Sequence, residues 1–169
     1  VYHCGYHSEQ SFGATSYFIQ REAGNVLVDS PRFTKALVDK LEAMGGIKYM
    51  FLTHKDDVAD HQQFHDHFGC KRIIHKYELC DRIHSAEIVI EHEYHSKIDD
   101  ADDELVMIYS PGHTRGHMLL NYKKQFLFSG DHIAYSAKLN QLIAWKDYCW
   151  SWDKQIESVE KLIEYYWAW

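Results

Sequence analysis

The sequence predicts an α/β fold, in which short strands alternate with helices and then give way to consecutive strands. Its 169 residues are enough for one domain with a substantial core, and 46% of them are hydrophobic. Apolar residues recur at helical spacing in three segments, and short β-type runs lie between them. An alternation of strand and helix indicates a layered core, so we expect sheets enclosed by helices.

The first half of the chain predicts a hairpin followed by strand–helix units. Two β-type runs, 14–19 and 25–29, are joined by a turn at 21–24. The elements expected next are a helix over 32–44, a strand over 49–53, a helix over 57–68 capped by an aspartate, and a strand over 72–75. Glycines after both helices supply the stops.

The second half predicts four more strands and one final helix. The strands are expected over 88–90, 105–109, 118–122 and 125–128, with a solvated acidic turn over 99–104. The helix from Ser151 carries a stripe that we expect to face the core, formed by Trp152, Ile156, Val159, Ile163 and Tyr166. The Trp-rich stretch 145–152 is typical of core packing, and the wall of a hydrophobic substrate pocket is its alternative.

Composition excludes several classes of protein. Lys and Arg number 18 and Asp and Glu 25, so the net charge is −7, and no basic run offers a footprint for nucleic acid or anionic lipid. No apolar stretch approaches the roughly 18 residues of a membrane span. The four cysteines lack a C-x-x-C spacing, which favours free thiols in a reducing cytoplasm. The sequence leaves the oligomeric state open.

Thirteen histidines are the unusual feature of the composition, and the segment 51–61 gathers the most informative ones. A predicted strand ends at Thr53, and the following connection carries His54, Asp56, Asp57, Asp60 and His61. Imidazole and carboxylate together suit Zn, Fe or Mn. A helix that collects aspartates at its N-terminus would explain Asp56 or Asp57, but not the histidines.

Two further strand ends present metal-binding types of side chain. The run Tyr109-Ser110-Pro111-Gly112-His113-Thr114 brings His113 out of a strand through a Pro-Gly turn. The run Phe126-Leu127-Phe128-Ser129-Gly130-Asp131 delivers Asp131 in the same way. Either segment alone would be an ordinary strand-to-turn sequence.

In this order, the three segments resemble the metallo-β-lactamase-fold metallohydrolases. The family carries T-H-x-H-x-D-H after a strand, then a histidine in a P-G-H-T turn, then an aspartate closing a G-D strand. The matching positions are Thr53-His54, Asp60-His61, Pro111 to Thr114 and Gly130-Asp131. The resemblance implies a four-layer αβ/βα sandwich over residues 1–169 as one domain, incomplete at the C-terminus.

Two departures from the family pattern affect the expected metal site. The second histidine of the motif is replaced by an aspartate, with two extra residues, Val58-Ala59, before Asp60. Asp56 is the better candidate for that position, and Asp57 is the alternative. The family also places a last histidine after the final helix. We therefore expect this chain to be a fragment whose reading frame supplies that histidine within about 5 to 15 residues of Trp169.

By resemblance, one metal would take His54, Asp56 and His113, and a second would take Asp60 and His61, with Asp131 bridging. Two divalent ions about 3.5–4 Å apart lower the pKa of a bridging water from about 15.7 toward about 7. The resemblance therefore implies a metal-bound hydroxide, oriented by Asp60 and held through Asp131. Zinc is the expected metal, while the extra carboxylate favours iron or manganese as alternatives.

The sequence supports three functional hypotheses. The first is a metal-dependent hydrolase acting on an ester, a thioester or a similar small substrate. The second is an iron-dependent oxidoreductase on the same fold, because an acidic residue follows His54 by two positions as in iron-binding members of the family. The third is a non-catalytic, metal-stabilised binding domain. His117 and His132 are candidates for a supporting role beside the ligands, and His65 and His67 are expected to be solvated.

Overall fold

The computed structural model describes residues 1–98 and 103–166, with side chains as far as Ile163. The acidic turn predicted at 99–104 and the aromatic run at 165–169 lie partly or wholly outside the described residues. The chain divides into two compact units, residues 1–90 and residues 91–169, which are described in turn. The prediction of a single domain stays a prediction.

The first unit is built on a six-stranded sheet in which the strands follow one another in chain order. The strands are β1 (Tyr2–His3), β2 (Tyr17–Ile19), β3 (Val26–Val28), β4 (Tyr49–Phe51), β5 (Lys71–His75) and β6 (Ile88–Ile90). The pairs β1–β2 and β2–β3 are antiparallel, whereas β3–β4, β4–β5 and β5–β6 are parallel. The carboxyl ends of β3, β4 and β5 therefore meet at one edge of the sheet.

Two helices connect the parallel strands. Helix α1 (Lys35–Ala43) begins where the Thr34 hydroxyl accepts from the Leu37 amide, and helix α2 (His61–Phe68) ends at Gly69 in the left-handed conformation. Leu41 of α1 and Phe64 of α2 are buried with Leu27 and Met50 in one hydrophobic cluster. Burying these faces against the sheet is the main source of stability for short helices.

The second unit contains a four-stranded antiparallel sheet in the order β10-β9-β8-β7. Its strands are β7 (Ser96–Lys97), β8 (Leu105–Tyr109), β9 (Met118–Tyr122) and β10 (Phe126–Phe128). A separate hairpin, β11 (Ala134–Ser136) and β12 (Gln141–Ile143), follows, and helix α3 (Trp152–Tyr166) ends the described chain. Leu162 of α3 packs with Ile108 and Leu119.

Helix α3 buries a different face from the predicted one. Gln155, Ser158 and Leu162 are the buried positions, whereas Ile156 and Ile163 of the predicted stripe are 41% and 58% exposed. The predicted core-facing stripe is therefore wrong for these two residues. The polar side chains of Gln155 and Ser158 lie inward because they donate hydrogen bonds to carbonyl groups of the neighbouring turns. The spacing of apolar residues cannot predict such buried polar positions.

Most of the other predicted elements are confirmed within a few residues. The hairpin, the strands at 49–53, 72–75, 88–90, 105–109, 118–122 and 125–128, and three helices are all present. Helix α2, however, begins at His61 rather than at Asp57. The strands β1 and β7 and the β11–β12 hairpin were not predicted. Among the described residues, no helix combines the length and apolar character that a membrane crossing requires.

Candidate metal centre

His54 is fixed at the carboxyl edge of the first sheet by the neighbouring parallel strand. Asp29 follows β3, and its Oδ1 accepts hydrogen bonds from the Thr53 amide at 2.8 Å and from the Thr53 hydroxyl at 2.9 Å. The Thr53 oxygen in turn lies 2.9 Å from His54 Nδ1. Since the hydroxyl proton goes to Asp29, Thr53 accepts from Nδ1–H. The lone pair of this fully buried imidazole is therefore on Nε2.

Two carboxylates approach His54 from opposite sides of its ring. Asp56 Oδ2 is 3.8 Å from Nε2, and Asp57 Oδ2 is 4.0 Å from Nδ1, the nitrogen that bonds to Thr53. Two ligands of one tetrahedral zinc ion stand about 3.4 Å apart. The pair His54 Nε2 and Asp56 Oδ2 is close to that separation, so the first unit contains a donor pair that fits a divalent cation.

The loop after His54 is held by hydrogen bonds from distant segments. The Lys55 amide donates to buried Glu78, and the Ala59 amide donates to the Ser11 hydroxyl. The Ser30 hydroxyl bonds to the Ala59 carbonyl, and the Ser30 amide donates to Asp57 O at 3.0 Å. The carbonyls of Asp57 and Ala59, which a helix from Asp57 would use, are thus bonded to Ser30 instead. The prediction that the helix begins at Asp57 is wrong, because it begins at His61.

Asp60 and His61 lie at the start of α2, and both are engaged with the protein. Asp60 Oδ2 accepts from the Phe33 amide at 2.8 Å, and its Oδ1 accepts from Gln63 Nε2 at 3.0 Å. His61 Nδ1 is 3.0 Å from Arg72 Nη1, and its Nε2 is 3.1 Å from the Arg82 carbonyl. Burial lowers the pKa of His61, with the Arg72 charge acting in the same direction. Their role as ligands of a second metal stays a prediction.

In the second unit, helix α3 and the two residues before it hold the turn that carries His113. The Trp150 amide donates to the His113 carbonyl at 2.8 Å, and the Ser151 amide to the Gly112 carbonyl at 3.0 Å. The Ser158 hydroxyl donates to the Pro111 carbonyl at 2.7 Å. The imidazole of His113 is thus presented from a backbone that is fixed at three successive residues.

His113 and Asp131 form a second donor pair. His113 Nε2 is 3.8 Å from Asp131 Oδ2, the same separation as in the His54–Asp56 pair. His117 and His132, which the sequence ranked only as supporting candidates, are fully buried beside this pair. The ring of His117 lies 5.8 Å from that of His113 and 5.3 Å from that of His132.

The environment of His132 shows whether the donors around His113 and Asp131 fit a divalent cation. Neither of its ring nitrogens has a hydrogen-bond partner within the described part of the chain, although both are buried. Burial, with a smaller contribution from the charge of His113, lowers the pKa of His132 to about 4. A buried imidazole of this kind is a neutral donor, the form in which histidine supports or ligates metals. The donor set of the second unit therefore fits a divalent cation.

The second unit also contains an open cavity of about 660 Å³ beside the His113 turn. Pro111 and Arg115 of the turn line one part of it, and Trp150 and Lys154 line another. Trp150 is 56% exposed, so the expectation that this Trp-rich stretch packs in the core is wrong for this residue. The volume is within the range of small-molecule sites.

The comparisons with known proteins identify the family of this chain. The chain matches the metallo-beta-lactamase superfamily over residues 11–165, and it belongs to that superfamily. This membership confirms the resemblance and the fold predicted from the sequence. No match is found among curated proteins.

Three solved structures illustrate the shared fold. The BLEG-1 B3 metallo-β-lactamase is 18% identical with a TM-score of 0.74, covering 96% of this chain and 84% of its own. TTHA1623, solved in a di-iron-bound form, is 15% identical with a TM-score of 0.70, covering 90% and 82%. An N-acyl homoserine lactone hydrolase, solved with its product at the catalytic metal centre, is 16% identical with a TM-score of 0.62, covering 90% and 76%.

Proposed function

We propose that this protein is a metal-dependent hydrolase that acts on an ester, a thioester or a related small substrate. The observation that carries the proposal is the His54–Asp56 donor pair at the end of β4, in a chain that belongs to the metallo-β-lactamase superfamily. Hydrolases are among the structures of similar fold, including the lactone hydrolase. We propose His54, Asp56, His113 and Asp131 as ligands, with zinc as the metal.

The residues of this chain have distinct tasks in the proposed reaction. A divalent ion held by the proposed ligands would lower the pKa of coordinated water to about 7, and this would make hydroxide available at neutral pH. Thr53 and Asp29 hold His54 with its lone pair on Nε2, which keeps the ligand atom aimed without rotation of the ring. The segment 150–151 and Ser158 of α3 fix the His113 turn. Buried His117 and His132 keep water from one side of the His113–Asp131 pair.

The cavity beside the His113 turn is our candidate for the substrate's non-reacting part. Its lining combines aromatic surface from Tyr94, Tyr109 and Trp150 with charged groups of both signs, which are Arg115, Lys154, Lys161, Glu93 and Glu157. Apolar walls with a few polar groups are typical of small-molecule sites.

We also propose a cytoplasmic location, because all four cysteines are free thiols.

A chelator experiment tests the proposed hydrolysis. Purified protein would be loaded with zinc and screened on short aryl esters and acyl thioesters before and after EDTA treatment. We expect turnover that EDTA removes and zinc restores, and that His54→Gln lacks. Turnover that is insensitive to the chelator would exclude the metal from the reaction, and equal turnover in His54→Gln would remove His54 from the proposed ligands.

An iron-dependent redox function is the second candidate, favoured by one specific contact. Asp56 adds an oxygen donor 3.8 Å from His54 Nε2, and harder oxygen ligands move metal preference from zinc toward iron or manganese. A structure of similar fold holds two iron ions. Elemental analysis of protein purified in air separates the two candidates, because full zinc occupancy without iron would exclude the redox function.

A further inference from the structure

The pair Asp60–His61 has protein partners at all four of its potential ligand atoms. Asp60 Oδ1 and Oδ2 accept from the Gln63 side chain and the Phe33 amide, while the His61 ring bonds to Arg72 through Nδ1 and to the Arg82 carbonyl through Nε2. The distances lie between 2.8 and 3.1 Å, within the normal range for hydrogen bonds. Each atom that would bind a metal therefore already has a hydrogen-bond partner in the protein.

The protonation of His61 follows from the chemistry of its partners. A guanidinium group only donates hydrogen bonds, so Nδ1 accepts from Arg72 and carries no proton. A carbonyl only accepts, so Nε2 carries the proton and donates it to Arg82 O. A metal at Nδ1 would displace the guanidinium and place a dication beside it. A metal at Nε2 would displace the proton and leave a carbonyl without its donor.

Arg72 is not a group that moves aside readily. Its side chain is only 4% exposed, and it forms two parallel hydrogen bonds to Glu87, from Nη2 to Oε1 at 2.8 Å and from Nε to Oε2 at 3.0 Å. Nη1 also donates to Gln62 Oε1 at 2.7 Å. Fork-shaped pairs of this kind fix the position of the guanidinium. Releasing His61 would therefore disturb a buried charged network.

Asp60 links α2 to the segment before α1. Its backbone has a φ of 56°, the left-handed conformation, and its carboxylate caps no amide of α2 itself. Instead, the carboxylate reaches the Phe33 amide, 27 residues earlier in the chain. A carboxylate that accepts a backbone N–H in this way satisfies a group that no helix or strand would satisfy.

We propose that Asp60 and His61 form a structural junction that joins α2 to β5 and to the segment before α1, and that the metal centre uses neither residue. The part of this inference that concerns the metal rests on the proposed function. The motif position that resembles a ligand pair in the superfamily is then occupied here by hydrogen bonds. The remaining candidate donors are then His54 and its neighbouring carboxylates in the first unit, and His113 and Asp131 in the second.

Metal affinity of matched variants tests the junction. His61→Gln can keep both contacts, since its amide oxygen can accept from Arg72 and its amide group can donate to Arg82 O. Asp60→Asn keeps an acceptor for the Phe33 amide, and His54→Gln is the control for a true ligand.

After zinc loading, metal content and chelator competition would be measured, with circular dichroism to confirm folding. We expect both junction variants to match the wild type within about twofold and His54→Gln to lose more than about tenfold in affinity. Loss of an ion in either junction variant would overturn the proposal.

A measurement on the metal-free protein separates this inference from the proposed function. Long-range ¹H–¹⁵N spectra of the histidine rings report which nitrogen carries the proton. We expect His61 with its proton on Nε2, and a spectrum that zinc leaves unchanged while the signals of His54 shift. A proton on Nδ1, or a zinc-dependent change at His61, would overturn the junction. A protein that binds no zinc would refute the proposed function, and the ring spectrum would still decide for or against the junction.

Discussion

Gly112 lies against the backbone of Gln155, and the contact leaves no room for a side chain at position 112. A Cβ placed on Gly112 would come within 2.4 Å of Gln155 Cα and 2.7 Å of Gln155 N. The approach is tight because the amide of Ser151 and the hydroxyl of Ser158 pull α3 onto the His113 turn. The glycine of the P-G-H-T run is thus a packing requirement as well as a turn residue.

We expect Gly112→Ala to destabilise the fold by about 3 kcal/mol, because backbone atoms rather than a flexible side chain must give way. Chemical denaturation would measure the loss. Gly13→Ala is the control, since Gly13 has a φ of 81° but no atom within 4 Å of the added Cβ. Its backbone strain should cost about 1 kcal/mol. Equal losses in the two variants would show that the contact with Gln155 contributes nothing.

Gln155 connects the two turns of the second unit that carry predicted ligands. Its side-chain amide donates to the His132 carbonyl, and its Oε1 accepts from Cys149 Sγ at 3.4 Å. Gln155→Met retains most of the volume but leaves the buried carbonyl without this donor, so we expect a loss of about 1–3 kcal/mol in unfolding free energy. The exposed Gln141 offers a matched control, and Gln141→Met should be nearly neutral. We also expect weaker zinc binding in Gln155→Met, which a change confined to stability would not produce.

Acid should weaken the first unit through Glu87. Burial raises the pKa of this carboxyl, but hydrogen bonds from the Arg72 side chain and amide, together with the Arg72 charge, lower it further, to about 2. The unfolded chain binds the proton near 4.5, so the stabilisation is complete above that pH and is lost as the pH falls toward about 2. The difference corresponds to at most about 3 kcal/mol.

Denaturation of wild type and Glu87→Gln between pH 7 and pH 3 measures this contribution. The stability gap between them should be large at pH 7 and should narrow below about pH 4.5. Glu22 is an exposed carboxylate on the same unit, and Glu22→Gln is the control for the substitution itself. A gap for Glu87→Gln that stays constant to pH 3 would contradict the role of Arg72.

Asp131→Asn should affect metal binding more than folding. The side chain is 48% exposed and lies 3.8 Å from His113 Nε2, so we expect the metal-free protein to lose no more than about 0.5 kcal/mol. Zinc affinity and ester turnover should fall together, because an amide is a poorer ligand than a carboxylate. Asp147→Asn, at another exposed aspartate of the unit, is the control. Unchanged zinc affinity in Asp131→Asn would remove this residue from the proposed ligand set.

The sequence could predict the elements and the strand ends because these depend on local information. Apolar periodicity and glycine stops located three helices and most of the strands, and the order of the T-H, P-G-H-T and G-D segments predicted the superfamily. The sequence also predicted Asp56 as the carboxylate beside His54, and the structure places the Asp56 carboxylate 3.8 Å from His54 Nε2. These conclusions depend on residues close together in the chain.

Contacts between distant residues decided the rest. Helix α2 starts at His61 and not at Asp57 because Ser11, Ser30 and Glu78 hold the preceding loop. Helix α3 buries Gln155 and Ser158, in preference to Ile156, because carbonyls of the two turns that carry predicted ligands accept their hydrogen bonds. His61 resembles a metal ligand in its motif, yet its ring is bonded to Arg72, 11 residues away. A sequence pattern shows which groups are available to bind, whereas folding determines which of them already have partners, because buried polar groups must be satisfied where they lie.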